Sequence, residues 1–240
     1  MAVIIGSARI DENGKTHGGK AGDQTGKEVS TQSWYKHSKG WRVFRPISEV
    51  DAAKIAQCME HACRNPHIGY DQYQRNNLYN LIKNRGFNIS AVKTDTETDC
   101  SALVRVCCAF AGIKLPDFNT QTEPIRLLDS NRFIEMIGER YSNGSAYLKR
   151  GDILVTATKG HTAVVLTDGP KADNQVYKVG VTVTGDSVYL RRGPGTEYHA
   201  ITILHKGDVL EYIGITDDNK WYLVWYKGNA AWISTKHSKI

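Results

Sequence analysis

The sequence changes character once, near residue 170, and that change constrains the fold more than any other feature of the chain. Residues 168 to 178, DGPKADNQVYK, are polar and hold a Gly-Pro break, so 170–178 reads as a linker. Everything after it is β in character. Val181–Val183, Val188–Leu190, Ala200–Leu204, Val209–Ile213, Trp221–Tyr226 and Ala230–Ile233 are short apolar or alternating runs. Turn residues separate them at 184–186, 193–195, 206–208, 217–219 and 227–229. Six short strands within residues 179–240 predict an all-β barrel domain.

Residues 1–169 read differently, as a mixed α+β domain of helices on a small, mostly antiparallel sheet. The first forty residues are polar and Gly-rich, and lead into a strand around Val29 to Trp34. Ser48-Glu49-Val50-Asp51 has capping-box spacing, followed by Ile55, Met59 and Ala62 at helical intervals. A second helix is expected over Asp71 to Asn84, ended by Gly86. A third runs from Asp99 or Cys100 to Ala111, and Thr122-Glu123-Pro124 opens a short fourth. Strands follow at 152–157 and 161–167. A length of 240 residues suits two such domains.

The net charge of +6 favours anionic partners, but it is spread. From residue 177 onward there are eight Lys/Arg and six Asp/Glu, net +2, which leaves +4 for the rest. No basic block stands out, so nucleic acid is not expected as a partner. No apolar run reaches the ~18 residues of a membrane span, so membrane insertion is not expected either. Ala2 to Ile5 is far shorter than the ~7–15 apolar residues of an export signal. The chain is therefore expected to be made in a cytoplasm and to need help in leaving it. No phosphate-binding Gly loop or metal-ligand spacing occurs, so no cofactor and no metal are expected.

The candidate chemistry centres on TDTETDCSALVRVCCAFAGI, residues 94–113. Cys100 falls in the first turn of a helix, where backbone N–H groups and the macrodipole favour a thiolate. The same N–H groups can hold a developing oxyanion. Cys107 and Cys108 lie among Val104, Val106 and Phe110, where a packed thiol is the expectation. A base must come from elsewhere. Among eight histidines, His161 stands out because Lys159-Gly160 turns the chain just before a strand begins there. The other seven, His37 among them, sit in polar or turn contexts.

Asp99-Cys100-Ser101-Ala102-Leu103-Val104 resembles the DCSGLV nucleophile motif of NlpC-type, papain-like peptidoglycan cysteine peptidases. Arg150-Gly151-Asp152-Ile153-Leu154 and Gly160-His161-Thr162-Ala163-Val164-Val165 resemble the strands that precede and carry their histidine. The resemblance covers residues 95 to 169 and is nearest to the phage and prophage endolysin branch. It implies a papain-like fold that cleaves cell-wall peptides through an acyl-enzyme, with Cys100 and His161 as the catalytic pair. Three positions depart from the pattern. Ala102 stands where Gly is usual. The family's upstream Tyr is supplied, if at all, by Tyr70 in Ile68-Gly69-Tyr70-Asp71. No strand after the His strand offers the third, orienting residue, and the Gly22–Val29 stretch is the candidate in its place, through Glu28, Asp23 or Gln24. Gln24, Tyr70, Asp71, Asp99 and Ser101 are the candidate substrate-binding residues.

Val188-Tyr189-Leu190-Arg191-Arg192-Gly193-Pro194-Gly195-Thr196-Glu197-Tyr198 resembles the core of bacterial SH3-like (SH3b) domains, with Trp221-Tyr222 and Ala231-Trp232-Ile233 at the later positions. This implies binding to the cell wall, with Tyr189, Tyr198, Trp225 and Tyr226 as candidate contacts. The combined expectation is an endolysin: a peptidoglycan hydrolase, more an endopeptidase than an N-acetylmuramoyl-L-alanine amidase, that reaches the wall through a holin-type pore. A wall-binding protein with an inactive papain-like domain is the alternative from another class.

Overall fold

The computed structural model describes residues 2–136, 138–172, 179–216, 218–227 and 229–240. Most of the expected linker, 173–178, lies outside the described residues, as do Asp217 and Gly228 in two expected turns. The chain divides into two units, residues 1–173 and 174–240.

Among the described residues the first unit is built on eight strands and five helices. In chain order they are β1 (Ile4–Ala8), β2 (Val29–Ser33), β3 (Trp41–Pro46), α1 (Glu49–Cys63), β4 (Ile68–Tyr70), α2 (Asn77–Ile82), β5 (Thr96–Thr98), α3 (Cys100–Phe110), α4 (Glu123–Asp129), β6 (Phe133–Met136), α5 (Glu139–Ser142), β7 (Ile153–Thr156) and β8 (Thr162–Val165). Six strands form one sheet in the order β2-β1-β8-β7-β3-β6, every neighbour antiparallel. β4 and β5 form a separate parallel pair. Helices α1 and α3 pack on each other and on the sheet. The core runs through Ile55 and Met59 of α1, Leu103 and Val104 of α3, Phe44 of β3, Ile153 of β7 and Val164 of β8.

Local rules account for most of these elements. Ser48 caps α1, its hydroxyl accepting from the Asp51 amide at 3.3 Å. Pro124 sits in the first turn of α4. Gly151 has φ +92°, and a Cβ there would overlap the backbone of Ala52 in α1. Only glycine lets the strand β7 start this close to the helix. The next residue, Asp152, is fully buried and paired bidentately with Arg45 of β3, both bonds at 2.7 Å. Burial nevertheless pushes Asp152 up from the ordinary carboxylate range.

One helix differs from expectation. The second begins at Asn77 rather than Asp71, because Asp71 is committed to a turn. Its carboxylate accepts from the amides of Tyr73 at 2.6 Å, Gln74 at 3.0 Å and Gly18 at 2.6 Å. The strands β1, β3, β4, β5 and β6 and the short helix α5 have no counterpart in the sequence reading.

The second unit is all β: β9 (Gly180–Val183), β10 (Val188–Arg191), β11 (Ala200–Leu204), β12 (Val209–Ile215), β13 (Trp221–Tyr226), β14 (Asn229–Ser234) and β15 (Ser238–Lys239). The order is β11-β10-β14-β13-β12-β9-β15, all antiparallel. The six expected strands are present, and a short C-terminal strand adds a seventh. Val181, Leu190, Tyr222, Val224 and Ile233 form its core.

Candidate active site

The parallel pair β4–β5 delivers the cysteine. Tyr70 is in register with Thr98, and the next two residues are Asp99 and Cys100. Asp99 is the N-cap of α3 in an extended conformation, its Oδ1 accepting from the Ala102 amide at 2.7 Å and from Ser101 Oγ at 3.0 Å. Arg75, just before α2, locks this cap from outside. Its Nε donates to Asp99 Oδ2 at 2.7 Å, its Nη2 to Ser101 Oγ at 3.0 Å and to the Phe118 carbonyl, and its Nη1 to Asp117 at 2.9 Å. The start of the cysteine helix is thus held by charge-assisted bonds, about twice as strong as neutral ones.

Cys100 itself is buried, 6% exposed. Burial is the main influence on its thiol and pushes its pKa up, and the carboxyl groups of Asp99 and Glu123 add to this. The backbone amides of Thr162 and Ser101 act on the sulfur in the opposite sense as hydrogen-bond donors. The helix N-terminus is in place, but it does not produce the resting thiolate expected from sequence. Desolvation of a sulfur inside the fold outweighs a few peptide dipoles.

Thr162 follows His161, so the residue whose amide faces the sulfur is the chain neighbour of the candidate base. His161 enters β8 with its backbone N–H donated to Thr156 Oγ1 at 3.0 Å. Its Nε2 lies 3.2 Å from Ser7 Oγ on β1, the strand beside β8. Trp41 packs near the ring at 6.3 Å between centroids, and His37 and Tyr35 pack in turn against Trp41 at 5.1 and 5.8 Å. Burial chiefly, with the charges of His37 and Arg9, lowers His161 to about 4. The ring is therefore neutral at pH 7 and free to accept a proton.

Ser7, not Glu28 or Asp23, is the partner on the imidazole. Glu28, Asp23 and Gln24, the expected orienting residues, hydrogen-bond within their own segment and to β4. The Gly-rich stretch is ordered, but it docks on β4. A Cβ on Gly69 would overlap Gly22, and the Asp23 amide bonds to the Pro66 carbonyl at 2.8 Å. Glu28 is buried and accepts from the amides of Gln24 at 2.7 Å and Tyr70 at 3.0 Å. Asp23 Oδ1 accepts from the amides of Thr25 at 3.0 Å and Gly26 at 2.7 Å. Gln24 turns its side-chain amide back on Ala21 and Gly22.

Among the candidate substrate contacts, Tyr70 is brought to the cysteine. It is buried, and its phenol is pushed up first by burial and then by the nearby Cys100. Asp71, Asp99 and Ser101 are buried and hydrogen-bonded within the protein. Cys107 and Cys108 are fully buried in the core. Sequence reasoning missed Ser7, Arg75 and Trp41. A serine in a short apolar run and an arginine in a polar loop carry no local signal of a role.

In the second unit, Tyr189, Tyr198 and Trp225 are exposed, at 50%, 44% and 48%. Tyr226 is half-buried against the core. A groove of about 630 Å³ is lined by Tyr189 together with Arg191, Glu197, Lys220, Trp221 and Lys236. Tyr198, Trp225 and Tyr226 do not line it.

Comparison with known families gives two matches. The model of a family described as an endolysin-like domain matches residues 5–172, and that of the bacterial SH3 domain matches residues 186–239. No curated protein matches the chain. No helix among the described residues is long and apolar enough to cross a membrane.

Proposed function

This chain belongs to the endolysin-like domain family, and on that premise we propose that it cleaves an amide bond of peptidoglycan stem peptides with Cys100 as nucleophile and His161 as base. An endolysin-like domain followed by a bacterial SH3 domain is a cell-wall hydrolase with a wall-binding module. The observation that carries the finer reading is that β8, which His161 precedes, packs against α3, which Cys100 begins.

The resting pair is neutral: a protonated thiol and an unprotonated imidazole. His161 takes the thiol proton as the sulfur attacks the scissile carbonyl, with Ser7 fixing the ring. Backbone N–H groups at the start of α3 bind the oxyanion. The proton passes from His161 to the leaving amine, and a thioester remains on Cys100. Water, deprotonated by the same imidazole, releases the acid and restores the thiol. The bond cleaved is placed within the stem peptide, and the SH3 unit holds the enzyme on its polymeric substrate. Made in a bacterial cytoplasm, the enzyme reaches the wall through a holin-type pore.

Cys100→Ala abolishes release of peptides from purified sacculi while leaving the thermal melt within a few degrees of wild type. Mass spectrometry of the released fragments reads the bond: new peptide amino termini mark an endopeptidase, and bare muramic acid an amidase. The buried, protonated thiol is the one observation on the side of a non-catalytic binder. Iodoacetamide labelling of Cys100 that stays silent even with wall fragments bound, together with full hydrolysis by the Ala variant, would remove the cysteine mechanism.

A further inference from the structure

The entry to β8 is gripped on both sides of His161 by one short segment, residues 120–123. Thr120 Oγ1 accepts from the Gly160 amide at 3.1 Å. Glu123 Oε1 accepts from Thr162 Oγ1 at 2.8 Å. Both gripping residues are buried, Glu123 completely. The second carboxyl oxygen of Glu123 is buried too, with no hydrogen-bond partner among the described residues. A carboxylate here would leave charge unsolvated and half-unpaired, which is strongly unfavourable. A carboxylic acid fits the same contacts. Oε1 is then the carbonyl oxygen that accepts from Thr162, and Oε2 carries the proton.

We propose that Thr120 and Glu123 are positioning residues that clamp residues 160–162, holding the His161 ring beside Ser7 and the histidine strand β8 against the cysteine helix α3. The proposal deepens the reading of Cys100 and His161 as the reacting pair and rests on it. Glu123 acts through Thr162. Burial keeps it neutral by pushing its pKa well above the ordinary carboxyl value. That neutrality matters, because a negative Glu123 would oppose ionisation of Cys100.

The groups around the clamp are few. His161 is faced by Ser7 from β1 with Arg9 just beyond it, by Trp41 from β3 with His37 just before it, and by Thr156 from β7. Glu123 is electrostatically linked to Asp99 and Arg75, and only an ionised Glu123 would raise Cys100 and Cys108.

The test uses the full-length protein and two readouts, the His161 ring titration by NMR and hydrolysis of purified sacculi. The first needs no substrate. In the wild type the ring is expected to titrate near 4. E123A and T120V admit water and raise the midpoint by about one pH unit or more, toward the free value. Their kcat falls about tenfold through misplacement of the base, with KM within about twofold. E123Q keeps a neutral acceptor for Thr162 and restores both readouts, kcat to within about threefold of wild type. T162V matches E123A, and the double variant is no worse than either single one. A ring that titrates unchanged in E123A and T120V overturns the clamp, and so does E123Q as impaired as E123A. If E123A shows no cooperative melt, T120V and T162V decide alone. Absence of wall hydrolysis in the wild type would sink the proposed function, while the ring titration would still read the clamp.

Discussion

His161 is a histidine kept neutral by its surroundings, and this has a thermodynamic cost that can be measured. Its folded pKa of about 4 lies below the 6.5 of a free imidazole. Between those values the unfolded chain takes up a proton that the folded chain refuses. Stability from this group is therefore complete above about pH 6.5 and is lost as pH falls toward 4. The loss is at most about 3 kcal/mol, since one pKa unit is worth about 1.4. Urea unfolding of wild type and His161→Gln between pH 7 and 4 reads it: the wild-type midpoint drops more steeply, and the two curves converge at the acid end. Parallel curves would show that the ring is solvated. Nothing in the sequence announced this environment. Gly160-His161 before an apolar alternation marked the residue, but its partial burial involves Trp41, 120 positions earlier, and Ser7, earlier still.

At the scale of elements, the cysteine helix was legible because its determinants are local. Asp99 as cap, Cys100 in the first turn and apolar residues at helical spacing all lie within a dozen positions, and α3 forms over Cys100–Phe110 as they direct. What steadies the helix was not legible. Arg75 lies 24 residues before Asp99 and reaches it only because the parallel β4–β5 pair folds the intervening chain back. Arg75→Ala is expected to lower stability by about 2–3 kcal/mol, because buried Asp99 loses its charged partner and Ser101 a donor. Arg75→Lys recovers less than half of that, since an ammonium cannot reproduce the forked contacts. Equilibrium urea denaturation of both variants checks it, and a loss below about 0.5 kcal/mol in Arg75→Ala would show the network to be idle. The second helix is the opposite case: its apolar pattern predicts a start at Asp71, but the turn chemistry of that residue wins over periodicity.

Two units account for the whole chain, and both were readable as classes, one mixed and one all β. The second was read nearly strand by strand, since each strand there pairs with close neighbours across short turns. The first was read only in part, because its sheet is assembled from segments far apart in sequence. For the wall-binding unit the groove containing Tyr189 is the expected contact. Tyr189→Ala in the full chain should weaken sedimentation with purified sacculi by about tenfold, roughly 1.4 kcal/mol. Tyr226→Ala should change binding less, because that ring is half-buried against the core. Equal losses in both variants would point to general destabilisation.

The placement of β1 between β2 and β8 has a consequence for how such a protein is made. Ser7 and its imidazole partner are separated by 154 positions. A nascent chain lacking β8 has Cys100 but not His161, and β1 lacks one of its two neighbours. The sheet neighbours of β1 on its two sides, and with them the Ser7–His161 contact, are therefore complete only when the last strand of the first unit has been made.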